Sequence, residues 1–304
     1  MRALGPSNLG TLAIIAAATL WGTTGTAASF FDDEISPRAI GAATMVGGGL
    51  LLFAVSFRRA ISAFRDRGAR RWLLLGAVGV FVYPLAFYSS MDLAGVAVGN
   101  VVSLGTGPVF AALFERVIER QRLSLLWSIT TPIALLGVLL LTLGGGRSGD
   151  ADEASSFGGV VLGLLAGISY ALYTYCSTRV IRAGHSSGAT LGAMFGAGAV
   201  GLLPVLLILG APLLQSGTSL GIASYLIVGP MFVAYVLFGV GLRTISSSTA
   251  TTITLIEPVV ATVLAVLVVG ELLTPTAWVG LVVIFAAITV LSTARHPRKT
   301  LVSP

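Results

Sequence analysis

Glu257 is the one ionisable side chain set deep inside a hydrophobic run, and the chemistry open to this chain starts there. The run from Thr249 to Val269 holds it near the centre, directly before Pro258, with Thr254 one turn earlier. At such a depth in a bilayer a charged side chain costs about 3 kcal/mol, and removal from water penalises the charged form of an acid. No Lys or Arg is available at the same depth, so Glu257 is a candidate for binding a substrate amine or for taking up and releasing a proton. The alternative is a structural acid that receives hydrogen bonds from backbone or hydroxyl groups beside the Pro258 break.

Other groups are placed to work with it. Asn100, Ser103 and Thr106 recur every three residues along the run from Val96 to Phe114, close to the face that holds Gly107. Asn100 has four hydrogen-bonding positions to satisfy, which points either to a cavity wall or to a helix–helix contact. Trp21, Tyr83, Tyr88, Tyr170, Tyr173 and Tyr235 also lie deep in their runs. Aromatic rings with polar tips offer stacking faces and directional bonds; Trp21, Tyr83 and Tyr170 are assigned to the wall of a binding cavity, with plain packing as the alternative for each. Trp72, Trp127 and Trp278 begin their runs, where indoles anchor helices at the membrane interface.

The elements that must position these groups are membrane helices. Hydrophobic residues make up 55% of the 304 and charged residues only 10%, with a mean hydropathy of +0.95, far from the soluble average of about 25% charged. A spanning helix needs roughly 20 mostly apolar residues, and ten such runs are present: Leu9 to Phe30, Ala39 to Phe57, Trp72 to Ser90, Val96 to Phe114, Leu125 to Leu143, Phe157 to Cys176, Ala189 to Leu209, Leu220 to Leu242, Thr249 to Val269 and Pro275 to Thr293. The expected fold is an all-α polytopic membrane protein with almost no length left for a soluble domain.

The second half repeats the first at an offset of about 150 residues, most clearly where Phe87 to Pro108 aligns with Leu237 to Pro258. Five spans per copy is an odd number, so the copies are inverted, residues 1–146 against 147–304. The segment from Gly144 to Ser156 reads as the linker. Inverted repeats place a transport site between the copies near the bilayer midplane, marked by interrupted helices in matching positions. Pro108 and Pro258 match, as Pro84 and Pro230 do approximately; each proline removes a backbone donor and frees a carbonyl one turn earlier. The 38 glycines, each costing about 1 kcal/mol in an ordinary helix, supply close helix contacts in stripes such as Gly159, Gly163 and Gly167.

The charge of +6 reports orientation rather than nucleic-acid binding. Sixteen of the eighteen Lys and Arg fall on segments that share a side with the termini, six of them between Arg58 and Arg71; only Arg38 and Arg147 fall opposite. The positive-inside rule then makes both termini cytoplasmic in a plasma-membrane protein. The loop from Arg58 to Arg71 reads as a basic segment, and His185 and His296 as solvated residues. An enzyme is disfavoured: no His, Cys or Asp lies deep in a span, Cys176 is the lone cysteine, and the single lysine, Lys299, leaves no phosphate-binding G-x-x-x-x-G-K-[ST] loop.

Trp21-Gly22-Thr23, Pro108-Val109-Phe110, Glu257-Pro258-Val259 and Gly270-Glu271-Leu272-Leu273-Thr274, taken in order and spacing over the whole chain, resemble the EamA-type branch of the drug/metabolite transporter superfamily. In the first copy the loop glutamate of that family is Gln121 here, with Glu119 two residues earlier, and Tyr170 stands where tryptophan is common. The resemblance implies ten spans in two inverted repeats, no cofactor, and a cavity formed by helices one, three, four, six, eight and nine. It implies a secondary active transporter, an exporter of amino acids or other small amphipathic metabolites by alternating access, with protons as the candidate coupling ion; an uptake permease or exchanger is the alternative, and a non-transporting assembly subunit a remoter one. Glu257, Asn100, Thr254, Ser103, Trp21, Tyr83 and Tyr170 are the expected substrate contacts, and Pro84, Pro108, Pro230 and Pro258 the expected helix breaks.

Overall fold

Every long apolar run folds as a helix, because in hydrocarbon a backbone must satisfy its own hydrogen bonds. The computed structural model describes residues 6–32, 34–144, 153–270 and 272–293. The spans are α1 (Pro6–Ala28), α2 (Pro37–Arg65), α3 (Arg67–Ala94), α4 (Val96–Ile118), α5 (Leu125–Gly144), α6 (Glu153–Arg182), α7 (Ser187–Leu209), α8 (Gly217–Gly241), α9 (Ser247–Val268) and α10 (Pro275–Thr293). The linker residues 145–152, the acid Glu271, and the basic residues Arg2, Arg147, Arg295, Arg298 and Lys299 lie outside the described residues.

Two inverted five-helix repeats make up the bundle, and their relation is visible in the helix contacts. α2 packs on α7 and α5 on α10, each helix against its own counterpart. The contacts of α6 with α3 and α4 reappear as contacts of α1 with α8 and α9. Exchanging the copies therefore leaves the pattern unchanged. Local chemistry repeats too: Ser36 and Ser186, 150 residues apart, each cap a helix by accepting from a backbone N–H three residues on, at 3.2 Å in both cases. Leu207, Ile208 and Leu267 are exposed on the outside of the bundle, as lipid-facing side chains must be.

The glycine stripe on α6 works as a contact surface. Added methyl groups at Gly163 would come within 2.9 Å of Ser90 and Val102, and at Gly167 within 3.0 Å of the Ser103 carbonyl, so α6 lies directly on α3 and α4. Gly22 plays the same part in the second half, where a methyl would meet Val260 at 2.6 Å and the carbonyl oxygen of Glu257 at 2.9 Å.

Three expectations are corrected. The segment from Arg58 to Arg71 is helix except for a turn at Asp66, which ends α2 and caps α3 by accepting from the Gly68 N–H at 2.8 Å. His185 pairs with Asp66 at 2.9 Å, and that hydrogen bond holds the Asp66 carboxyl below the usual carboxylate range. The contribution of this contact is present above the ordinary Asp value and is lost as the pH falls through the lowered one. Trp127 is no interface anchor: it is buried, and its indole N–H reaches the Ser248 carbonyl at 3.2 Å and Thr252 Oγ1 at 3.0 Å, because a buried indole needs an acceptor.

The four prolines behave differently in the two copies. α3 and α4 continue as α-helices through Pro84 and Pro108. In α8, Pro230 lies in a π-helical stretch, Ile227–Val233, and in α9 a 3-10 turn, Thr254–Ile256, precedes Glu257 and Pro258. The interruptions are thus confined to the second copy.

Candidate functional site

Glu257 stands at the middle of α9, just beyond the 3-10 turn, and opens onto a cavity of about 110 Å³ between the two copies. The wall is aromatic. Trp21 of α1, Tyr83, Phe87 and Tyr88 of α3, Tyr170 and Tyr173 of α6 and Tyr235 of α8 surround the acid, with Pro84 and Pro230 completing the lining at the bends. The rings touch one another: Trp21 to Tyr235 at 4.9 Å between centroids, Tyr170 to Tyr173 at 5.4 Å, Tyr83 stacked on Phe87 at 5.5 Å and on toward Tyr170 at 5.9 Å. The Glu257, Tyr83, Tyr88, Tyr170 and Tyr235 side chains line the same cavity.

The carboxylate itself makes no hydrogen bond and no ion pair with any described residue. It is half-buried by surface, yet surrounded by protein at every side, so the surface it keeps belongs to the cavity. The structural role, an acid held by hydroxyls or backbone beside Pro258, is therefore not the one observed. Among the described residues the lining offers one carboxylate and no Lys, Arg or His.

Irregular backbone finishes the site. In the π stretch the N–H of Ala234 turns to the Gly229 carbonyl, which leaves the Pro230 carbonyl unclaimed by the helix. Trp21 donates its indole N–H to that oxygen at 2.8 Å, so the break in α8 is what fixes the indole at the wall. Tyr170 bonds Thr254 Oγ1 at 2.7 Å, tying α6 to the 3-10 turn, and Tyr173 bonds Tyr235 at 2.9 Å, tying α6 to α8 within the second copy.

The cavity is closed toward the face that carries the chain ends. There Glu115, buried at the end of α4, accepts from Ser247 Oγ at 2.6 Å, Ser248 Oγ at 2.6 Å and the Ser248 N–H at 3.1 Å, gripping the start of α9. A carboxylate at a helix N-terminus also meets the positive end of its dipole. Glu119 takes Arg179 at 3.5 Å and Arg182 at 3.4 Å from the end of α6, and Gln121 donates to the same carboxylate. The shift of the loop acid to position 119 thus brings it to the α6 arginines. On the other face the wall residues lie in the halves of α2 and α3 away from the chain ends, and there the copies are bridged by Thr23 with Tyr225 at 2.7 Å, by Ser90 donating to the Gly159 carbonyl at 2.7 Å and by Thr274 donating to the Gly144 carbonyl at 2.7 Å.

The expected residues divide. Glu257, Trp21, Tyr83, Tyr170, Pro84 and Pro230 meet at one cavity. Thr254 is buried behind Tyr170 and acts on the wall through it. Ser103 faces α6, its hydroxyl buried with no partner among the described residues, and it does not reach the cavity; Asn100 is half-buried one turn from the lining residue Leu104. Pro108 and Pro258 sit outside the lining. Helix α2 adds Gly41, Thr44 and Met45 to the expected set of helices. Those three had no signal beyond belonging to a span, and Glu115 had none beyond standing near a helix end.

The EamA-like transporter family model matches the chain twice, over residues 8–143 and 157–293. This chain belongs to the EamA-like transporter family. The EamA-like chain is 31% identical over 294 residues to a protein named uncharacterized transporter YwfM of Bacillus subtilis, covering 96% of this chain and 97% of that one. It is 24% identical to uncharacterized inner membrane transporter YicL of Salmonella typhimurium, over 95% of this chain and 97% of that one, and 27% identical to YedA of Escherichia coli, likewise named an inner membrane transporter, over 96% and 94%. A crystal structure with 21% sequence identity matches this EamA-like fold with a TM-score of 0.76, covering 92% of this chain and 95% of that one. The EamA-like chain is accordingly a multi-pass membrane transporter by family.

Proposed function

We infer that this chain is a secondary active exporter of small amphipathic metabolites that bear an amine, amino acids and related compounds, working by alternating access of two units joined at residues 146 and 147. The observation that carries the reading is a carboxylate with no partner among the described residues, set in an aromatic cavity between the copies. Glu257 takes the amine or, in its absence, a proton, so that protons serve as the coupling ion. Trp21, Tyr83 and Tyr170 form the contact wall, Thr254 positions Tyr170, and Asn100, a turn nearer the face opposite the chain ends, meets cargo on its way out. Transport requires the Glu115 and Glu119 contacts to part while the Thr23–Tyr225 and Ser90–Gly159 contacts of the opposite face hold, and the reverse. Proline and π breaks in α8 and α9 let those helices bend at the level of the site.

The distribution of arginines and the inner-membrane names of two relatives support a plasma-membrane location with cytoplasmic termini. Purified protein in liposomes is expected to move an amine-bearing solute down a proton gradient and to stop when the gradient is collapsed; no flux of any tested amine or amino acid under either gradient overturns the reading. Orientation is checked separately in intact cells. A cysteine replacing Gln215, exposed between α7 and α8, should react with an impermeant thiol reagent from outside, and one replacing exposed Ser62 should not. The reverse labelling would invert the molecule.

A further inference from the structure

We propose that the cavity around Glu257 selects organic cations, amines with one positive charge and no carboxylate, over zwitterionic amino acids. This narrows by charge the cargo of the transport reading and rests on that reading for its physiological meaning.

The argument is one of charge balance. Among the described residues the lining holds a single formal charge, on Glu257, and no Lys, Arg or His. A cation beside the ionised acid leaves the cavity neutral. A zwitterion beside the ionised acid leaves one net negative charge, and reaches neutrality only if Glu257 is protonated, which forfeits the acid as partner of the ammonium. Unpaired charge in a poorly hydrated site is costly. Neutral donors cannot supply a counter-charge, and several are committed: the Trp21 indole to the Pro230 carbonyl, the Tyr170 hydroxyl to Thr254, and one hydroxyl of the Tyr173–Tyr235 pair to the other.

What the wall does offer suits a cation. Rings of Trp and Tyr attract a positive group held within about 6 Å of their centres, and the attraction grows when water is excluded. Trp21, Tyr83, Tyr88, Tyr170 and Tyr235 supply such rings around the acid. The hydroxyls of Tyr83 and Tyr88 have no hydrogen-bond partner among the described residues, which leaves their lone pairs free to accept from an ammonium N–H.

Calorimetric binding to the purified full chain in nanodiscs at neutral pH tests this, with 2-phenylethylamine, its N,N,N-trimethyl derivative and phenylalanine as probes. The first and last differ only in the carboxylate. Both cations are expected to bind at least tenfold more tightly than phenylalanine. Tyr83→Leu should weaken the trimethyl probe about tenfold and Tyr83→Phe should keep it within about threefold, since a quaternary group needs the ring and not the hydroxyl. Phenylalanine binding as tightly as the amines, no binding of either cation, or a Tyr83→Leu protein that folds and binds the trimethyl probe unchanged would each overturn the proposal. Cation binding without flux in liposomes would sink the transport reading alone, while flux of other solutes with no cation binding would sink only the present inference.

Discussion

Glu257→Gln is expected to weaken amine binding about 100-fold and to remove the response of transport to a proton gradient, without lowering the thermal midpoint of the purified protein. Two unit charges 4 Å apart attract by about 4 kcal/mol at an effective dielectric of 20, and every 1.4 kcal/mol is tenfold in affinity; some of that attraction is lost to water in the cavity, which leaves roughly two orders of magnitude. The expected stability has a separate cause. Glu257 makes no hydrogen bond with a described residue, so glutamine forfeits none, and a desolvated charge is removed. Binding isotherms, flux at two external pH values and a melting curve on the same preparation check all three. Unchanged affinity and pH response would strip Glu257 of its role; a large loss of stability would make it a structural acid after all.

Glu115→Ala should behave in the opposite way, with a stability loss of about 3 kcal/mol and a leak at the sealed face. Hydrogen bonds to a charged group contribute about 1.5–3 kcal/mol each, and a buried donor left unpaired carries its own desolvation cost. Three bonds from Ser247 and Ser248 end on this carboxylate, one of them from a backbone N–H that has no substitute in the bundle. Glu115→Gln keeps the geometry with neutral acceptors and should retain about half of the stabilisation. The melting midpoint reads the first effect. The second is read in a Cys176→Ala background with Thr251→Cys as the probe, a buried position one turn into α9: a thiol reagent added from the face of the chain ends should reach it with Glu115→Ala and not with Glu115 intact. Equal labelling in both would mean that the seal lies elsewhere.

The spans were legible in the sequence to within a turn for most helices, because the bilayer imposes both length and apolarity on each. Glu257, Trp21, Tyr83 and Tyr170 were legible for the same reason: a polar or ring-bearing group at depth stands out against a greasy background. What stayed hidden were pairings across the two copies. Nothing in the run Ser246 to Thr249 says that its hydroxyls will meet Glu115, and nothing at Trp127 distinguishes an indole at the interface from one wedged under α9. The asymmetry of the breaks was equally hidden. Pro84 and Pro230 look alike in sequence, and only the indole N–H that Trp21 donates to the Pro230 carbonyl shows what α8 gains by departing from regular geometry.

Gly107 is the counterpart of Glu257 at the 150-residue offset, and the ring of Tyr170 lies against it, 2.7 Å from where a methyl would stand. Duplication thus produced twin scaffolds of which only one is electrically furnished, the other being filled by a phenol. On the proposed reading an amine rides with its charged head toward α9 and its apolar remainder toward α4, where a second charge would meet no group of opposite sign.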